Sequence, residues 1–203
     1  MKHYFSQDPS SRHDLKEIAT TICGRKLRFL TDSGVFSKDG VDFGTRLLLE
    51  TARIPPGSAV LDLGCGYGAM GITAALLNPT IHVTMVDVNL RALDLATTNA
   101  TMNGVSNVTV KQSDSIASLV EQKFDVVLTN PPIRAGKEVV FSFYSGARSV
   151  LRDGGSLWVV IQKKQGAPST EKKLQELFSS VELRARSKGY HIYQASSLST
   201  VPE

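Results

Sequence analysis

Three stretches carry residue types that could do chemistry together: Val60-Leu61-Asp62-Leu63-Gly64-Cys65-Gly66-Tyr67-Gly68, then Asp87, then Asn130-Pro131-Pro132-Ile133. An apolar run that breaks into alternating glycines reads as a buried parallel strand turning sharply into a helix, with main chain bared for the close approach of a ligand. That is a shelf for a cofactor. Gly64-x-Gly66-x-x-Ala69 fits the dinucleotide fingerprint loosely, and Asp87 ends the apolar run Ile81 to Val86, where a ribose-binding acid is expected. A tight turn with no ligand is the competing reading of the glycines taken alone. Asn130-Pro131-Pro132-Ile133 directly follows Val126-Val127-Leu128-Thr129, and an NAD enzyme has no general use for it.

Asp62-Leu63-Gly64-Cys65-Gly66-Tyr67-Gly68 together with Asn130-Pro131-Pro132 resembles the class I S-adenosylmethionine-dependent methyltransferases that act on an exocyclic or amide nitrogen. Asp32-Ser33-Gly34-Val35-Phe36-Ser37-Lys38-Asp39-Gly40, with Asp42-Phe43-Gly44 behind it, further resembles the small-domain group that includes ribosomal-RNA guanine-N2 methyltransferases. The resemblance covers nearly the whole chain. It implies S-adenosyl-L-methionine as cofactor, held by Asp62, Gly64, Cys65, Gly66, Gly68, Asp87, Val88, Asp114 and Asn130. Asp62 would sit beside the cofactor's amino group, and Asp87 would accept from two ribose hydroxyls. Asp114 would accept from the adenine amine; a cap for the helix after it is an equal reading.

The same resemblance makes Asn130, Pro131 and Pro132 the catalytic turn. The lone pair of an exocyclic amine is delocalised into its base, so the amine is a poor nucleophile. Two acceptors, the Asn130 side-chain oxygen and the Pro131 carbonyl, would fix its nitrogen and favour a pyramidal form. Proline at 131 and 132 stiffens the turn and removes amide donors that would oppose an incoming N–H. Ile133 departs from the commoner family pattern, in which an aromatic follows the prolines and stacks on the base; it offers a flat apolar contact instead. Phe36 is placed against the cofactor or the target base, with a hydrophobic plug as its other reading. Arg134 and Lys137 are placed beside substrate phosphate. Phe141, Phe143 and Tyr144 read as the buried face of a helix.

The elements that position these residues follow from periodicity. Ile18, Thr20 and Ile22 alternate, and Leu27 and Phe29 resume the alternation, which predicts a β-hairpin turning at Gly24-Arg25. Its Arg25, Lys26 and Arg28 could touch phosphate or serve only as exposed strand charges. Asp42 can cap a helix that ends before Pro55-Pro56-Gly57. From there strands and helices alternate, the pattern of a parallel sheet covered on both faces. Strands are expected at 59–63, 82–86, 108–111, 125–129 and 156–161. Helices are expected at 69–77, 90–103, 115–121 and 137–151, with Gly104 and Gly154-Gly155 as stops. Helix 170–178 and strands 181–186 and 190–195 close the chain, and the two-residue turn Lys188-Gly189 forces the last strand antiparallel.

The expected fold is therefore α/β: one doubly wound, mostly parallel, seven-stranded, Rossmann-like sheet with a reversed last strand, as in class I methyltransferases, plus an N-terminal β-hairpin extension. Residues 1–53 form the extension and 54–203 the S-adenosylmethionine-binding domain. At 203 residues the chain has room for one sizeable core, and with 41% hydrophobic and 21% charged residues it is neither disordered nor tail-like. Cys23 and Cys65 are expected as free thiols, and the four histidines lack ligand spacing, so no metal is expected. No apolar run reaches membrane-spanning length and the start lacks a signal-peptide core, which places the chain in the cytoplasm. A net charge of +4 favours an anionic partner. The leading reading is methylation of a guanine N2 in 16S-type ribosomal RNA, with ribosomal RNA or the small subunit as partner. Alternatives are a protein glutamine or DNA adenine N-methyltransferase, a non-catalytic cofactor- or RNA-binding module, and an NAD(P) oxidoreductase.

Overall fold

The computed structural model describes residues 13–35, 37, 39–113, 119 and 121–197. Phe36, Asp114 and most of the helix expected over 115–121 lie outside the described residues. β1 (Lys16–Ile22) and β2 (Arg25–Thr31) form the hairpin, with Ile18 opposite Phe29 and Ile22 opposite Arg25. Its turn is Cys23-Gly24, one residue earlier than the alternation suggested. Both turn residues have positive φ, 48° and 76°, the form of a tight hairpin turn that favours glycine in second place.

α1 (Phe43–Thr51) leads into an alternating series: β3 (Ala59–Leu63), α2 (Ala69–Leu77), β4 (His82–Asp87), α3 (Leu90–Met102), β5 (Val108–Gln112) and β6 (Phe124–Thr129). α4 (Lys137–Val150), β7 (Leu151–Gln162), α5 (Ala167–Leu177), β8 (Ser180–Ser187) and β9 (Tyr190–Ser196) complete the described chain. The seven-stranded sheet has the order β5-β4-β3-β6-β7-β9-β8. β3 to β7 are parallel where they pair, and β9 runs against β7, which is the reversed final strand.

Two boundaries differ from the sequence reading. Gly154-Gly155 do not stop α4, which ends at Val150; they lie inside β7, where the pairing with β6 shifts register. A Cβ on Gly155 would come within 3.0 Å of the Arg152 and Asp125 carbonyls, so close backbone approach requires that glycine. α5 begins at Ala167, three residues before the expected Thr170, with proline in its first turn, where the missing N–H costs no helical bond.

Period two divides the core between the sheet's faces. Val60, Val83, Met85, Val126, Leu128, Trp158 and Val160 pack with α1, α2, α3 and the hairpin, while Leu61, Val127, Leu157, Val159 and Ile161 pack with α4 and α5. The hairpin is seated by two asparagines one helical turn apart, Asn99 on α3 and Asn103 at its C-cap. Asn99 Oδ1 and Nδ2 take the Leu30 N–H (2.6 Å) and carbonyl (3.0 Å), and Asn103 does the same for Arg28 (3.1 and 2.7 Å). These side chains stand in for a neighbouring strand along the outer edge of β2.

Candidate active site

Strand register brings the three sequence stretches to one level. Leu63 pairs with Val86 and Asp62 with Leu128, so the next residues up, Gly64, Asp87 and Asn130, stand abreast on three adjacent strands. Neighbouring strands lie about 4.8 Å apart. The Thr129 hydroxyl donates to the Leu63 carbonyl at 2.8 Å and ties the ends of β6 and β3 together.

Around the glycine loop the main chain does most of the bonding. Gly64 and Cys65 N–H groups both donate to the Val86 carbonyl at 2.9 Å, and Gly64, Gly66 and Gly68 have φ of 76°, 55° and 90°. A side chain would strain each of these turns, and at Gly68 it would also meet Ile72 at 2.8 Å. Asp87 accepts from the Gly66 N–H (2.8 Å) and the Asn89 N–H (3.0 Å), one on each carboxylate oxygen. A carboxylate has about four lone-pair positions, so acceptor capacity remains beside these N–H groups. Burial raises Asp87 above the usual carboxylate range, against the pull of main-chain N–H groups at Asn89, Gly66 and Val88.

Asp62, 1% exposed, accepts from the Gly71 N–H in the first turn of α2 at 2.8 Å. Burial pushes its carboxyl up to about 7; the Gly71 N–H opposes this and the Asp87 charge adds to it. Burial and the same two acids also hold the Cys65 thiol well above its ordinary pKa. Two buried carboxyls beside bared main chain suit a ligand with a cationic end and a diol. Val88 lies half-buried in the turn after Asp87.

Around Asn130 the bonding is side chain to side chain. Its Nδ2 donates to Asp42 Oδ2 at 2.8 Å and to Thr45 Oγ1 at 3.2 Å. Asp42, the N-cap of α1, also accepts from the Gly44 and Thr45 N–H groups (both 3.0 Å), the Thr45 hydroxyl (3.1 Å) and the Tyr190 hydroxyl (3.1 Å). A carboxylate accepting from so many donors can face only the NH₂ end of Asn130, which settles the amide's orientation. No hydrogen bond among the described residues reaches Asn130 Oδ1. Pro131 is buried and Pro132 half-buried. Ile133 opens a short 3₁₀ turn and packs against the α4–α5 core, while Arg134 and Lys137 are exposed, with Lys137 Nζ 5.2 Å from the Phe141 ring centre.

The loop ahead of α1 is clamped to the β4–α3 junction. Asn89 Nδ2 donates to the Gly34 carbonyl (3.1 Å), and Arg91 donates to that of Ser33 (2.8 Å) while standing 3.6 Å from Asp32. Burial pushes Asp32 up, but N–H groups of Asp14 and Ser33, the His13 ring and Arg91 outweigh it and hold this carboxyl below its ordinary range. The loop thus lies beside Asp87, as a cover for the glycine shelf would.

The family model "Methyltransferase small domain" matches residues 26–194. The chain belongs to the methyltransferase small domain family. It is 44% identical over 201 residues to "Uncharacterized protein YbxB" of Bacillus subtilis (strain 168), covering 97% of this chain and 99% of that one. It is 37% identical over 175 residues to the ribosomal RNA large subunit methyltransferase G of Pseudomonas putida (strain W619), covering 83% of this chain and 46% of the relative, so it spans about half of that protein. Among solved structures, the T. thermophilus 16S rRNA N2 G1207 methyltransferase (RsmC), in complex with AdoMet and guanosine, superposes with a TM-score of 0.80 at 27% identity, covering 93% of this chain and 52% of that one.

As a class I small-domain methyltransferase the protein uses S-adenosyl-L-methionine. The bared glycine loop and the two buried acids fit that cofactor, which carries an ammonium group, a ribose diol and a sulfonium. Sequence reasoning missed the groups that this methyltransferase adds to the Asn130 turn. Asp42 is legible as a helix cap and as part of a family-like stretch, Tyr190 as the start of a strand, and neither these nor Thr45 is tied to Asn130 by any local pattern. Phe143 is half-buried against the α4–α5 core, as its spacing suggests, and its ring also lies over the glycine loop, 2.9 Å from where a Cβ on Gly64 would stand. Tyr144 does fill the core, at 0% exposure. No helix among the described residues is long and apolar enough to cross a membrane.

Proposed function

We propose that this methyltransferase modifies the exocyclic N2 amine of a guanine in ribosomal RNA. The observation that carries the reading is the anchored Asn130 amide. With Nδ2 spent on Asp42 and Thr45, the outward group at the end of β6 is an acceptor, and the Pro131 carbonyl beside it is a second. Two acceptors suit an NH₂ group and repel a carbonyl or phosphate. S-adenosylmethionine, when bound, supplies a methyl already activated on sulfonium, so the chain needs no strong base. Asn130 and Pro131 orient the amine and favour its pyramidal form. Asp87 holds the ribose, Asp62 the amino group, and Gly64, Cys65, Gly66, Gly68 and Val88 the remaining wall. Ile133 lies along the base; Arg134 and Lys137 flank its phosphate.

Ribosomal RNA is supported by the Pseudomonas putida relative and by RsmC, one named for the large subunit and one for 16S RNA. The test is transfer of labelled methyl to small subunits, large subunits and naked ribosomal RNA from cells lacking this chain, followed by nucleoside identification. N2-methylguanosine is the expected product. Label in adenine or in protein would keep the cofactor and overturn the substrate.

A further inference from the structure

Above Asn130 the sheet continues on one side only. Thr129 pairs with Val159, so Asn130 stands level with Val160, yet β7 runs on to Gln162, which pairs with Tyr190, itself opposite Ser187 of β8. Two extra residues raise this three-stranded wall about 7 Å above the Asn130 turn. Four cations crown it. Lys163, whose N–H donates to the Gly189 carbonyl at 2.8 Å, Lys164, Arg186 and Lys188 are all exposed, and none joins an ion pair among the described residues.

Neighbouring acids are engaged elsewhere: Glu171 with the Tyr193 hydroxyl (3.2 Å), Glu176 with Lys173 (3.0 Å) and Glu182 with Arg184 (2.8 Å). Lys188 Nζ lies 4.7 Å from the Phe43 ring centre, Phe43 lies 5.7 Å from Tyr190, and the Tyr190 hydroxyl reaches Asp42 beside Asn130. Arg186 and Lys163, on the other face of the wall, are near enough to His191 to add to burial in lowering its pKa, and they outweigh the opposing charge of Glu171. Positive charge therefore runs over the crest from one face to the other, and Lys188 at its end is linked through Phe43 and Tyr190 to the Asp42–Asn130 network.

We propose that the crest formed by Lys163, Lys164, Arg186 and Lys188 is a docking surface for backbone phosphates of single-stranded RNA next to the methylated nucleotide. The inference rests on the RNA reading above. The hairpin cations are excluded from this role by position. β2 runs along α3 with Arg28 at Asn103, and Arg25 and Lys26 lie beyond it, about 20 Å of helix from the rim where α3 begins.

Binding of a fluorescein-labelled single-stranded RNA of about a dozen nucleotides, followed by anisotropy across a salt series, tests the surface. Full-length wild type, the variant Lys163→Gln/Lys164→Gln/Arg186→Gln/Lys188→Gln and the control Arg25→Gln/Lys26→Gln are compared. The four-site variant should bind at least about tenfold more weakly at about 0.1 M salt, with its log–log salt slope reduced by about 2.8, at about 0.7 per contact. The control should change by less than about twofold. S-adenosylmethionine affinity, measured by calorimetry, should match wild type in both variants, which shows that the fold is intact. If wild type methylates RNA while the four-site variant keeps full RNA affinity and slope, the docking surface is overturned alone. If wild type binds no RNA and labels only protein, it falls together with the RNA reading.

Discussion

The glycine-loop half of the rim draws on residues close in the chain, Asp62 to Gly71 and Asp87 to Asn89, and its bonds run mostly through main chain. The Asn130 half joins Asp42, Thr45, Asn130 and Tyr190, of which the outermost are 148 positions apart, and it bonds through side chains. One half depends on a local backbone path that three positive-φ glycines make possible. The other exists only when α1, β6 and β9 are packed together. Damage to the first should therefore show as lost cofactor affinity, and damage to the second as lost turnover with the cofactor still bound.

Asn130→Ala gives that separation its severest trial. It should lower kcat by about 100-fold or more, the scale for removing one group aimed at a reacting centre, while calorimetric S-adenosylmethionine affinity stays within about twofold. Loss of both together would merge the halves. Asp87→Ala should do the reverse and weaken cofactor binding by about ten- to a hundredfold, from charge-assisted bonds worth about 1.5–3 kcal/mol. At saturating cofactor its kcat should approach wild type.

Asp42→Asn sharpens the contrast further. Asparagine caps a helix as well as aspartate, so α1 and the melting temperature should hold. One oxygen is lost, however, while Asn130 and Tyr190 approach opposite oxygens of the carboxylate. An NH₂ would then confront one of these donors and loosen the Asn130 orientation. A fall in kcat of about tenfold, or about 1.4 kcal/mol, is expected without change in cofactor affinity. Unaltered kcat would show that the network is only structural.

The smallest expected effect is a pH dependence confined to the glycine-loop half. The Asp62 carboxyl is pushed up to about 7 in the folded chain from 3.8, so folding retains a proton that the unfolded chain releases. Its contribution to stability accordingly falls as pH rises through that window. A cofactor ammonium favours the charged carboxylate, so S-adenosylmethionine affinity should climb a few-fold toward about pH 7 and then level, with proton release on binding at about pH 6. Calorimetry in buffers of different ionisation enthalpy reads the proton directly, and Asp62→Asn should abolish its release. An equal release from that variant would move the titration to another group.

Legibility in the sequence followed the same divide. The alternation of strands and helices, the glycine loop, Asp87 and the Asn130 turn could all be read because each is announced within a few residues. The hairpin was legible in kind and off by one in its turn, since alternation alone does not say which two residues take positive φ at Cys23-Gly24. Gly154-Gly155 was misread because a glycine pair after a helix looks like a stop, and only the neighbouring Asp125 and Arg152 carbonyls explain the missing side chain. Helical spacing places Phe143 against the core, but that its ring also reaches the glycine loop depends on where α4 lies.

By itself the sequence determined the order of elements, the side of the sheet on which the strands end, and the main-chain shelf for the cofactor, because hydrophobic period and glycine conformation act over short chain distances. Tertiary structure alone decided that Asp42, a helix cap, and Tyr190, from the last strand, meet Asn130 and turn its oxygen outward. It also decided that Lys163, Lys164, Arg186 and Lys188 stand over the site, whereas Arg25 and Lys26 lie at the other end of α3. The physical reason is that strand register and helix packing set which distant side chains share one small volume, and no local pattern encodes that meeting.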